Sequence, residues 1–149
     1  MTLGGPLLQV AVFCDSVIEA KDGVLSLIRM IDRIVVEASG PDAPEEMPPL
    51  PRQMTVVLSF KGGSAKGRTQ IRLVMEKPNG IEQKEIWSGS LHSEAPDRGQ
   101  NFVLRFEEIF DLEGVYWFHV YVEKDAVTSM PLTLQYVRQT AGTGPSRKA

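Results

Sequence analysis

Alternation of apolar and polar side chains with a period of two runs through most of this chain, and few folds can absorb it. In "MTVVLSFK", Met54, Val56, Leu58 and Phe60 fall on one face and Thr55, Ser59 and Lys61 on the other, with Val57 breaking the second face. "TQIRLVMEK" repeats the pattern with Ile71, Leu73 and Met75 against Gln70, Arg72 and Glu76. "NFVLRFE" does so through Phe102, Leu104 and Phe106, "VYWFHVYVE" through Tyr116, Phe118, Val120 and Val122, and "LTLQYV" through Leu132, Leu134 and Tyr136. A period of two places alternate residues on opposite sides of a strand, so each segment presents one face to a core. Strands at short intervals, punctuated by Gly and Pro and without helix-strand alternation, predict an all-β chain: one antiparallel β-sandwich of about 7–9 strands.

The connections follow from turn chemistry. Asn79-Gly80 predicts a hairpin, because both residues tolerate positive φ, and "IEQKEIWSGSL" returns as a more polar edge strand. "KGGSAKG" reads as a flexible hairpin loop. It holds glycines and two lysines but lacks the spacing of a phosphate-binding P-loop. Residues 38–52, "ASGPDAPEEMPPLPR", hold half of the ten prolines and predict an irregular loop. Its P-x-x-P reads as a stiff connector between sheets rather than a ligand for an aromatic groove. The sandwich is expected over 7–138, with 1–6 and 139–149 as flexible termini.

Two segments need separate treatment. In "LLQVAVFC", Leu8, Val10, Val12 and Cys14 share one face and Leu7, Ala11 and Phe13 the other, which predicts a strand buried on both sides. "GVLSLIRMIDRIVVE" carries a helical stripe through Val24, Leu27, Ile28, Ile31, Ile34 and Val35, yet its β-branched end favours strand. The surrounding pattern predicts two short strands or one bulged strand.

Two resemblances add to this. "LEGVYWFHV" is similar to the tyrosine corner of immunoglobulin-like sandwiches, with Tyr116 as the residue whose phenol bonds the backbone. "VAVFCDSV", "DGVLSLIRMIDRIVV", "TVVLSF" and the "GVYWFHVYVE" hairpin together resemble an uncharacterised bacterial domain family of unknown function, over most of residues 8–138. That resemblance implies strand for 24–37 and a small residue where this chain has Arg29. It implies no activity, ligand or catalytic residue.

Composition narrows function by exclusion. The formal charge of −3 over 149 residues, without a basic block, leaves no electrostatic footprint for nucleic acid or for a membrane surface. No apolar run approaches the roughly 20 residues of a membrane span. The N-terminus lacks the basic region and cleavage site of an export signal. A single cysteine cannot close an internal disulfide, so a reducing, cytoplasmic setting is expected.

The candidate sites are few. Cys14 lacks a neighbouring base in sequence, and Asp15 opposes a thiolate, so its expected role is packing rather than nucleophilic attack. One cysteine with His92 and His119 falls short of a zinc set, and no cofactor is expected. Asp15, Glu19, Asp22, Asp111 and Glu113 lie at strand ends, where a calcium site is conceivable, but they lack the spacing of a calcium loop. Trp117, His119 and Tyr121 fall on the face of their strand opposite the core residues, the kind of aromatic cluster that interfaces favour. The sequence thus predicts a non-enzymatic interaction or assembly module, meeting a protein partner or its own copy through that face or a sheet edge. A small-ligand or calcium-binding sandwich is the alternative, and a Cys/His enzyme ranks below both.

Overall fold

In the computed structural model, which describes residues 4–140, nine strands build two sheets and no helix forms. The first sheet has the order β2-β1-β4-β7, from Leu25–Ile31, Leu7–Glu19, Leu50–Lys61 and Gly99–Phe110. The second has the order β3-β9-β8-β5-β6, from Arg33–Ser39, Asp125–Gln139, Gly114–Val122, Gly67–Glu76 and Gln83–Ser93. Of the expected flexible termini, residues 1–3 and 141–149 lie outside the described residues.

The core is the interleaving of the two alternating patterns. Met54, Val56, Leu58 and Phe60 of β4 meet Ile71, Leu73 and Met75 of β5 and Tyr116, Phe118 and Val120 of β8, all buried. Phe13 meets Phe118 edge to face with ring centroids 4.9 Å apart. Removing such side chains from water at about 25 cal/mol per Å² is what holds the sheets together.

Residues 24–37 are two strands, as expected, and Asp32 is the break between them. β2 pairs with β1 in the first sheet, and β3 crosses to pair with β9 in the second. Because the chain keeps its direction while changing sheets, β3 runs parallel to β9, the one departure from a wholly antiparallel sandwich. Arg29 sits at φ 57, a left-handed conformation in which a side chain is strained and a small residue is comfortable. The small residue that the family resemblance implies there would be under less strain.

Four local expectations change. In β1 the register shifts between Leu8 and Val10, so Leu8 lies opposite buried Phe60 while Val10 lies opposite Ser59. A bulge inserts one residue and flips alternation beyond it, which moves Leu8 to the core side with Ala11 and Phe13. "KGGSAKG" is no hairpin loop, because β4 and β5 belong to different sheets and the segment crosses between them. The Asn79-Gly80 turn is wider than two residues. Lys77 donates its N–H to the Glu82 carbonyl at 3.0 Å, Gly80 alone takes positive φ, and the Asn79 side-chain oxygen accepts the N–H groups of Ile81 and Glu82. The proline-rich loop shrinks to residues 40–49, since Leu50–Arg52 already pair with Phe110–Glu108. It does join the two sheets, and Met47 and Ala43 bury themselves as it passes.

Candidate interaction surfaces

Cys14 is 2% exposed on β1, in the first sheet, while His92 on β6 and His119 on β8 belong to the second. Burial, and then the charge of Asp15, push its thiol pKa up. A thiol held protonated and covered is a packing group. Tyr116 is fully buried, and its hydroxyl accepts the backbone N–H groups of Asp111 at 3.1 Å and Leu112 at 3.0 Å. These are the hydrogen bonds of a tyrosine corner, which pin the β7–β8 crossover.

Four of the five acidic strand-end residues are engaged within the fold, and Glu19 is exposed. Asp15 pairs with Arg29, Asp22 accepts the Val24 N–H, and Asp111 pairs with Lys77 at 3.1 Å. Glu113 accepts the Tyr136 N–H. Among the described residues no group of three His, Cys, Asp or Glu side chains converges as a metal set would.

The face of β8 opposite the core does carry Trp117, His119 and Tyr121, and neighbouring strands tie two of the three. His119 Nε2 lies 2.8 Å from Glu76 Oε1, and Nδ1 lies 2.7 Å from Ser129 Oγ. In the tautomer that donates Nε2–H to the Glu76 carboxylate, Nδ1 of the neutral ring accepts from the Ser129 hydroxyl. This is a Ser-His-Glu chain on a sheet face, stitching β5, β8 and β9 side by side. The Arg72 guanidinium stacks over the Tyr121 ring, 4.6 Å from its centroid. Trp117 is left 39% exposed beside exposed Pro131. Glu76, Arg72 and Ser129 were absent from the sequence-based list of candidates. The signal for the first two was the outward half of "TQIRLVMEK", which only the β5–β8 register sets opposite the aromatic residues.

Exposed apolar side chains gather elsewhere. Ile18 (56%), Val24 (61%), Ile28 (40%) and Met30 (70%) all lie on the β1–β2 hairpin. A groove of about 420 Å³ brings Leu25 and Leu27 of the hairpin beside Val10, Val57, Ser59 and Asn101. Along the hairpin Leu25 and Leu27 are half-buried while Ile18 and Ile28 face solvent. A second groove, of about 430 Å³, opens where the chain crosses between sheets at Asp32. No helix of the described residues is long and apolar enough to cross a membrane.

A family model described as a family of unknown function (DUF6941) matches residues 9–135. No curated protein matches the chain. Among solved structures, a β-glucosidase from Erythrobacter marinus matches with a TM-score of 0.41 and 11% identity, over 59% of this chain and 15% of that one. So weak a likeness, spanning so little of the other chain, carries no argument about activity.

Proposed function

We propose, from geometry alone since the chain belongs to that family of unknown function, that this domain is an assembly module acting by contact rather than by reaction. We read its sandwich as immunoglobulin-like on the strength of the Tyr116 corner. The observation that carries the reading is the hairpin: Ile18, Val24, Ile28 and Met30 lie exposed together on one supersecondary unit. Exposed apolar side chains gathered on one element, rather than scattered singly, mark a contact site.

The occupant we assign is a second copy of this chain. Exposed Glu19 and exposed Lys21, of opposite sign and two residues apart at the tip of the same hairpin, suit a two-fold contact in which each meets the other's counterpart. The mild net charge opposes such an approach little. Sedimentation velocity over a range of concentrations tests this. Wild type should associate reversibly, and Ile18→Asp with Ile28→Asp should stay monomeric while folding normally. A pair of variants that associates like wild type would remove the hairpin from the contact.

A second reading rests on Trp117, whose exposure beside Pro131 suits a protein partner on the aromatic face with His119 and Tyr121. Trp117→Ala with Tyr121→Ala should then weaken association while the hairpin variants do not.

A further inference from the structure

β9 is paired along one edge for most of its length and along the other for only half of it. β8 takes residues from Asp125 to Leu134, whereas β3 takes only Thr133–Gln139. From Asp125 to Leu132 the second edge pairs with no strand among the described residues, although β1 of the other sheet lies nearby.

Strand alternation identifies the backbone groups left open there. Thr133 donates its N–H across that edge to the Asp32 carbonyl at 2.9 Å. Ser129 and Pro131, four and two residues earlier, therefore turn their backbone groups the same way. The register irregularity lies at Ala126–Thr128, before Ser129, and leaves this count intact. Pro131 sits where its missing N–H costs the β8 pairing nothing. Its carbonyl and both backbone groups of Ser129 remain available to a newcomer.

The 430 Å³ groove lies against this open half-edge. Its walls include Ala11, Phe13, Ile31, Met130 and Pro131, and its only charged lining residue is Asp32, exposed and in no ion pair among the described residues. An unpaired strand edge beside an apolar wall is what β-strand addition uses, and a lone carboxylate adds a charge preference.

We infer that this half-edge binds an extended peptide segment as an added strand in line with β3, with aliphatic side chains in the groove and a lysine or arginine against Asp32. The inference rests on the reading that the domain acts by contact; its groove shares Met30 with the hairpin patch but not Ile18 or Ile28, so substitutions at those two residues let the two fail separately.

The test uses the full chain carrying Ile18→Asp and Ile28→Asp, which removes hairpin contact, and two capped peptides, Val-Lys-Val-Lys-Val and Val-Glu-Val-Glu-Val. The readout is hydrogen exchange and chemical shift at the Ser129 amide. The lysine peptide should slow Ser129 exchange several-fold and the glutamate peptide should not, and Asp32→Lys should reverse that preference. Ser129 left unprotected by saturating lysine peptide would overturn the inference. So would equal protection by both peptides, or protection that rises with protein concentration without peptide, which would make the occupant a second copy. Continued wild-type association alongside such a failure would leave the assembly reading standing.

Discussion

Cys14 is a candidate nucleophile turned into a packing group, and Tyr116 is a buried phenol that ties the chain's own backbone. The Cys14 thiol stays protonated because burial and Asp15 disfavour its anion. The folded protein holds the thiol's proton to higher pH than an ordinary unfolded thiol does. The unfolded state therefore gives up its proton first as pH rises. Stability from this group is complete below the ordinary thiol range and is lost progressively as pH rises through it. Thermal melts between pH 8 and 10.5 should show a downward slope that is shallower in Cys14→Ala, and a thiol reagent should label native protein far more slowly than unfolded protein. Tyr116→Phe keeps the ring and removes the acceptor of two backbone N–H groups, so denaturant unfolding should report a loss of about 1–3 kcal/mol. Both roles were legible from sequence, since an apolar run and a Gly-Val-Tyr strand start are local patterns. His119 was legible only as a residue on an outward face. Its partners Glu76 and Ser129 lie 43 and 10 residues away, and only the pairing of β5, β8 and β9 joins them.

At the scale of elements, alternation located the strands well and their partners poorly. Period-two patterning names the face that will be buried but is silent about which strand lies alongside. Hence "KGGSAKG" reads as a hairpin in sequence and is a crossing between sheets in the fold. The β1 bulge escaped for a related reason: one inserted residue leaves an apolar run looking uninterrupted. The fit of β7 on β4 gives a sharp test of the register. A Cβ on Gly99 would fall 1.6 Å from the Phe60 carbonyl oxygen, a backbone atom that cannot step aside without opening the pair. Gly99→Ala should cost about 3 kcal/mol or more in chemical denaturation, while Gly80→Ala, strained only by its positive φ in an open turn, should cost about 1 kcal/mol.

For the whole molecule the same residues close a core and leave one hairpin poorly covered. The Asp15, Asp22, Asp111 and Glu113 carboxylates go to Arg29, Lys77 and backbone N–H groups, the thiol to packing and the buried phenol to a crossover. Among the exposed apolar side chains, four lie together on β1–β2, and an open stretch of β9 edge lies beside the crossing at Asp32. The most direct measurement is sedimentation velocity across a wide concentration range on wild type and on Ile18→Asp/Ile28→Asp. The account predicts a reversible monomer–dimer equilibrium in wild type that the double variant abolishes without loss of its cooperative melt. Wild type that remains monomeric at every concentration, or a variant that dimerises equally well, would contradict it.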